Sequence, residues 1–156
     1  MIESLLRFVN VTTSGLVAGS LGFGDAALVP GWQDELPREW RQNTVKALKA
    51  VKYSDAIGPV ALASAVTLAV GSRGSSTPRR LLYAAAALSL TGVLVTTVMV
   101  TVPINRQIEE HARPDHANPR AKSLVKNWSR AHAVRTTLGL SAFLCAAASG
   151  LTGKKC

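Results

Sequence analysis

Long apolar runs alternate with polar connections along the chain, and this pattern predicts its fold. Four runs contain no Asp, Glu, Lys or Arg, and they cover residues 8–24, 56–72, 81–103 and 136–153. A bilayer core about 30 Å thick needs about 20 helical residues to cross it. The third run reaches that length alone, and the other three reach it with their flanks. A buried helix of a soluble protein would explain any single run. Four runs in 156 residues leave too little polar sequence to cover them.

The pattern therefore predicts an all-α fold, a four-transmembrane-helix bundle with two long charged connections on one side. We expect a single domain over residues 1–156. Its four spans are predicted at about 6–30, 54–72, 81–103 and 133–152. A cleaved signal peptide is the alternative for the first run. Glu3 in its leading segment and the length of the apolar stretch up to Pro30 favour a retained helix.

The connections between the runs differ in length and charge. Residues 73–80 are expected to form a short polar turn, whereas residues 31–54 and 104–132 are long and carry all three tryptophans. With four spans, the two long connections lie on the same side. That side holds 12 of the 18 Lys and Arg residues. The positive-inside rule then places the long connections in the cytoplasm. We expect the protein to lie in the cell membrane.

The excess of positive charge narrows the choice of partners. The net charge is +9, while apolar residues make up 47% of the chain. Contact with phosphate headgroups accounts for such an excess in a chain that lies in a lipid bilayer. No finger, helix-turn-helix or RNA-binding signature is present, so we expect no nucleic-acid partner. An apolar small molecule is a candidate partner, and a homo-oligomer remains open.

Polar and ionisable side chains at the ends of the apolar runs mark a candidate site. Such groups are costly inside a membrane and therefore raise a functional hypothesis by default. By connectivity, six of them fall at the end of the bundle that carries the long connections: Asp25, Asp55, Asn105, Arg106, His132 and Arg135. His132 and Arg135 are three residues apart, so they share one face of a helix. A purely structural role is the alternative, in which the carboxylates neutralise the arginines and Asn105 caps a helix.

The sequence gives little support for a metal-binding or nucleotide-binding site. His111 and His116 lie in the second long connection, and together with His132 they offer three imidazoles. Their spacing matches no familiar ligand pattern, so we predict no metal and no other cofactor. Cys145 and Cys156 form no disulfide or metal motif, and no phosphate-binding glycine loop is present.

Two short segments of the sequence resemble a known family. The segment from Val102 to Ile108 contains Pro103 and Asn105, and Trp128-Ser-Arg-Ala-His-Ala-Val-Arg135 enters the fourth span. Both resemble segments of the anthrone oxygenase-like integral membrane proteins, as do the four-span layout and a Gly-Pro pair at residues 58 and 59. The family usually has Asn where this chain has His132.

The resemblance implies a monooxygenase that oxidises an anthrone-like or other apolar aromatic substrate with molecular oxygen and without a cofactor. It implies that His132 acts as the base and that Arg135 and Asn105 stabilise the enolate. Asp25 or Asp55 would orient His132 or balance Arg135. Substrate-binding or orienting roles would also fall to Arg106 and Trp128. The alternative is a non-catalytic membrane accessory or small-molecule-binding protein with the same polar cluster.

Overall fold

The chain forms a bundle of helices in the computed structural model, which describes residues 2–29, 56–71, 76–110 and 121–152. No strand occurs within these ranges, and the all-α prediction is confirmed. Helix α1 (Ile2–Phe23) continues into a π-helical turn, π1 (Gly24–Leu28), and α2 spans Ile57–Gly71. Helix α3 (Thr77–Thr96) continues through a second π-helical turn, π2 (Thr97–Thr101), into α4 (Val102–Glu110). Helix α5 spans Ala121–Leu151.

Helix α5 runs antiparallel to both α1 and α3, and close approaches at glycines fix the register. A Cβ at Gly15 of α1 would lie 3.3 Å from Phe143, whereas a Cβ at Gly139 would lie 3.0 Å from Leu21. Residue numbers therefore increase along α1 where they decrease along the facing part of α5, as they do in antiparallel helices. Helix α2 packs against α1 and α3, so that the four helical segments form a ring with α1 and α3 on one diagonal.

Small side chains fill the middle of the bundle. Ala61, Ala65, Ala86 and Ala142 are fully buried, with Leu90 beside them. Side chains of this size let helix backbones approach closely, which increases the van der Waals contact between helices in an apolar environment. The centre of the bundle is therefore tightly packed and apolar, and the polar groups lie nearer its two ends.

The outer surface of the bundle is apolar as well. Large side chains such as Phe8, Leu88, Met99 and Leu144 are exposed over 62% or more of their surface. Two helical stretches, Thr77–Gln107 and Ser123–Leu151, are long and apolar enough to cross a membrane, while Ile57–Gly71 is apolar but shorter. In both long stretches only 22% of the most apolar segment is buried, whereas the core helix of a soluble protein would be mostly buried.

The beginning of α3 differs from the expected polar turn. Residues 77–80 are helical, so the turn predicted over 73–80 is wrong from Thr77 onward. The carbonyl of Ser76 accepts from the backbone N–H groups of Arg79 and Arg80 at 3.1 and 3.3 Å. Pro78 lies in the first turn, where backbone N–H groups have no acceptor within the helix, so that the N–H that proline lacks is not needed. The charged residues of this segment therefore begin the helix instead of interrupting it.

Both π-helical turns lie at the same end of the bundle. The N–H of Val29 donates to the carbonyl of Gly24, and the N–H of Val102 donates to that of Thr97, each five residues earlier. In the sequence a proline follows each turn by two residues, at positions 30 and 103. In the described part of the chain, the ring of Pro103 would clash with the carbonyl four residues before it in a regular α-helix, and a widened turn relieves that clash. Both π turns pack against α5, where the candidate site lies.

Candidate functional site

His132 lies at the centre of the site, on the face of α5 that meets α1. Only 6% of its surface is exposed. Its Nε2 atom lies 3.1 Å from the carbonyl oxygen of Leu21 and 4.0 Å from Oδ1 of Asp25. A carbonyl oxygen can only accept a hydrogen bond, so this network assigns the ring hydrogen to Nε2. In the neutral ring Nδ1 then keeps a lone pair. This atom is buried and has no hydrogen-bond partner among the described residues.

A glycine makes the contact between His132 and α1 sterically feasible. Gly24 lies three residues after Leu21 and therefore on the same face of the helix. A Cβ at this position would overlap Nε2 of His132 and approach its Cε1 to 2.9 Å. The missing side chain leaves the space through which the imidazole reaches the backbone.

Trp128 and Asn105 extend the site toward α4. The indole of Trp128 stacks on the imidazole of His132, with ring centroids 4.6 Å apart and planes inclined by 10°. Its Nε1–H donates to Oδ1 of Asn105 at 2.9 Å. Because an indole N–H can only donate, this bond fixes which end of the amide is oxygen. The Nδ2 group of Asn105 therefore points away from Trp128, and it donates to no residue in the described ranges.

Arg135 lies one turn beyond His132 and brings a positive charge to the same end of the bundle. This half-buried side chain donates from its Nη1 to Oγ1 of Thr101 at 3.4 Å. Thr101 is buried and closes the π2 turn, and its hydroxyl also approaches the carbonyl of Thr96 at 3.5 Å. The π2 turn thus places the hydroxyl of Thr101 where it accepts a hydrogen bond from Arg135. His132 and Arg135 share the face of α5 between α1 and α3.

The structure thus places five of the predicted residues at the same end of the bundle: Asp25, Asn105, Trp128, His132 and Arg135. Arg106 is exposed and makes no hydrogen bond within the described part of the chain. Asp55, His111 and His116 lie outside the described residues. Within the ranges that are described, no three His, Cys, Asp or Glu side chains are placed to share a metal ion. The absence of a cofactor stays a prediction.

Sequence reasoning missed three features of this site: the carbonyl of Leu21, the gap at Gly24 and the hydroxyl of Thr101. Every residue has a main-chain carbonyl, so the sequence cannot show which of them will accept a hydrogen bond from a side chain. Gly24 did leave a signal, since it directly precedes the predicted polar residue Asp25. The hydroxyl of Thr101 belongs to a π turn, for which the proline two residues later was the available sign.

The arrangement combines three chemical capacities. The lone pair on Nδ1 of His132 can accept a proton. The Nδ2 group of Asn105 and the guanidinium of Arg135 can hold a developing negative charge on oxygen. Asp25, next to the opposite nitrogen of His132, can balance the imidazolium that proton transfer would create.

Comparison with known proteins places the chain in a family. No curated protein and no solved structure matches it. The model of the anthrone oxygenase family matches residues 47–145, which is more than half of the chain. The matched region includes Asn105, Trp128, His132 and Arg135 and leaves Asp25 outside. By this match, the chain belongs to the anthrone oxygenase family.

Proposed function

We propose that this protein is an integral membrane oxygenase that converts the acidic CH2 group of an anthrone-like aromatic compound into a carbonyl with molecular oxygen. One observation carries the proposal. His132 directs Nε2 at the carbonyl of Leu21 and at Asp25, which leaves its other nitrogen as a base at the end of the bundle that also holds Arg135 and Asn105.

The apolar exterior supports a location within a lipid bilayer. All four helical segments expose large apolar side chains, as in Leu5, Val66, Leu88 and Leu144. Hydrophobic surface of this extent is stable against lipid and costly in water. We infer four crossings, with the long connections in the cytoplasm. An apolar aromatic substrate then dissolves in the lipid and reaches the site laterally.

Cysteine labelling tests this topology. In a variant without Cys145 and Cys156, a cysteine placed at the exposed position Ser4 should react with a membrane-impermeant maleimide in right-side-out vesicles. A cysteine at the exposed position Ser123, near the long connections, should react only after the vesicles are opened. The reverse pattern would contradict the orientation, and full labelling of both in sealed vesicles would contradict four crossings.

The proposed reaction starts with proton transfer from carbon. Nδ1 of His132 removes a proton from the CH2 group, and the electron pair delocalises onto the substrate oxygen as an enolate. Arg135 and Nδ2 of Asn105 hold that oxygen, because charged and amide N–H groups stabilise negative charge best where water is excluded. Asp25 and the Leu21 carbonyl keep the imidazolium in place through Nε2.

Molecular oxygen then acts as the oxidant. The enolate transfers two electrons to O2, one after the other, as a carbon–oxygen bond forms, and the imidazolium returns its proton to the peroxide. His132 next removes the second proton from the same carbon. A C=O bond forms as the O–O bond breaks, and the departing hydroxide takes that proton and leaves as water. One CH2 group and one O2 thus give one carbonyl and one water.

Turnover of an anthrone tests the proposal directly. The purified protein in detergent should convert an anthrone and O2 to the anthraquinone above the background without protein. His132→Ala should lower kcat by about 10²–10⁴-fold through loss of the base. Arg135→Ala should lower it by about 10²–10³-fold through loss of charge stabilisation. Arg130→Ala, an exposed arginine on the same helix, is the matched control and should retain activity.

Three results would count against this mechanism. Absence of turnover would favour a non-catalytic, small-molecule-binding role for the same polar cluster. Activity that persists in both His132→Ala and Arg135→Ala would exclude their proposed roles. Stoichiometric copper or iron in the purified protein would contradict the expectation that no cofactor takes part.

The bond from Trp128 to Asn105 assigns Trp128 a positioning role. Trp128→Phe keeps a ring to stack on His132 but removes the donor that orients the amide. We expect kcat to fall about tenfold with KM unchanged, because loss of one hydrogen bond that orients the amide weakens its stabilisation of the transition state. Asn105→Asp keeps the acceptor but removes the donor, and it should cost about 10²–10³-fold. Unchanged kcat in Trp128→Phe would contradict the positioning role.

Gly24 offers a test of the contact between α1 and His132. In Gly24→Ala the added methyl group would displace the imidazole from the Leu21 carbonyl. A base displaced by about 1 Å should lose on the order of 10²-fold in kcat. Gly22→Ala is the matched control, since a Cβ there meets no atom within 4 Å. Equal activities of the two variants would show that this contact does not position the base.

A further inference from the structure

A second group of buried polar side chains lies at the end of the bundle opposite His132. Asn10 and Ser14 of α1 are fully buried, and Tyr83 of α3 is exposed over only 1% of its surface. Asn10 and Ser14 are four residues apart and therefore share a face of α1. We refer to these three side chains as the polar layer.

The register of the helices puts the polar layer at one level. Gly15 of α1 lies beside Phe143, and Gly92 of α3 lies beside Leu138 on the same helix α5. At a rise of 1.5 Å per residue, the Cα atoms of Asn10, Ser14 and Tyr83 then fall within about 6 Å along the bundle axis. The layer therefore spans the core between the diagonal helices α1 and α3.

Each member of the polar layer has an unsatisfied hydrogen-bonding atom. The Nδ2 group of Asn10 donates to Oγ of Ser64 at 3.1 Å and to the carbonyl of Ala61 at 3.3 Å. Its Oδ1 atom, the hydroxyl of Ser14 and the hydroxyl of Tyr83 have no hydrogen-bond partner among the described residues. A buried polar group without a hydrogen-bond partner destabilises the folded protein, so three such groups in one layer call for an additional partner.

Water meets the chemical demands of the polar layer. Asn10 Oδ1 needs a donor, whereas each hydroxyl can both donate and accept. Buried water typically makes about three hydrogen bonds to groups of this kind. The three side chains are neutral, so they match water better than an ion. Arg7 and Arg79 lie one turn away, each with a buried Nε that has no hydrogen-bond partner among the described residues, and the carboxylate of Glu3 pairs with Arg7. A bound anion is therefore the competing outcome of the test.

We infer that the polar layer is a binding site for ordered water, which bridges Oδ1 of Asn10 to the hydroxyls of Ser14 and Tyr83. The bridge ties α1 to α3 through the core of the bundle. This inference does not depend on the proposed oxygenase activity, and it concerns none of the residues assigned to that reaction.

Thermal unfolding of the detergent-solubilised protein tests the bridge. If the hydroxyls are merely buried, their removal in Ser14→Ala or Tyr83→Phe should raise the Tm or leave it unchanged. If they bind shared water, each substitution should lower the Tm by about 2–4 °C, corresponding to about 1 kcal/mol for a chain of this size. The double variant should then lose less than the sum of the single losses, because both hydroxyls serve one water network.

Two further measurements complete the test. Ser20→Ala is the matched control on the same helix, since the Ser20 hydroxyl already donates to the carbonyl of Val17 at 3.0 Å. Its Tm should stay within about a degree of the parent. Replacement of sodium chloride by choline gluconate should leave the Tm of the parent protein unchanged. A salt-ion dependence that disappears in Ser14→Ala or Tyr83→Phe would overturn the inference, as would strictly additive losses or a rise in Tm in either single variant.

Discussion

The bond between the imidazole of His132 and the carbonyl of Leu21 constrains the rest of the candidate site. A buried Nε2–H group with no acceptor would destabilise the fold, so α5 has to bring His132 against the backbone carbonyl of Leu21 in α1. That approach requires glycine at position 24 and fixes the rotation of α5 about its own axis. Once this rotation is set, the helical period carries Arg135 to the π2 turn and Trp128 to α4. One contact between two helices therefore determines which side chains α5 presents to the π2 turn and to α4.

Polar groups in this bundle occupy two levels separated by a packed apolar middle. Near one end, an imidazole, an amide and a guanidinium are held by hydrogen bonds, and within the described ranges neither Nδ1 of His132 nor Nδ2 of Asn105 has a hydrogen-bond partner. Near the other end, the neutral polar side chains Asn10, Ser14 and Tyr83 are buried in the core. The alanines between the two levels leave little room for water to pass. This separation suits a protein that acts on a small molecule at one end better than a protein that conducts a solute through its centre.

Helix content and the grouping of polar residues could be predicted from apolar run lengths and connectivity alone. Helices that alternate in direction bring the end of the first run and the beginning of the fourth to the same end of the bundle, and the structure accordingly has Asp25 4.0 Å from His132. The sequence could not reveal the tautomer of His132, the orientation of the Asn105 amide or the stacking of Trp128. Those depend on the rotation of each helix about its axis, which packing decides. The turn predicted over 73–80 is wrong from Thr77 onward, because Pro78 lies in the first turn of a helix, where proline is as favourable as in a loop.

The two π turns have a consequence for how chains of this kind vary in length. Each residue turns an α-helix by about 100°, so one extra residue accommodated in a widened turn rotates everything beyond it by that angle. Downstream of Thr97–Thr101, this rotation directs the side chain of Asn105 toward Trp128. A relative that is one residue shorter in this turn would keep its hydrophobic length and its neighbours. It would present a different side chain to the indole, and a single-residue gap in an alignment would then mark a change in chemistry.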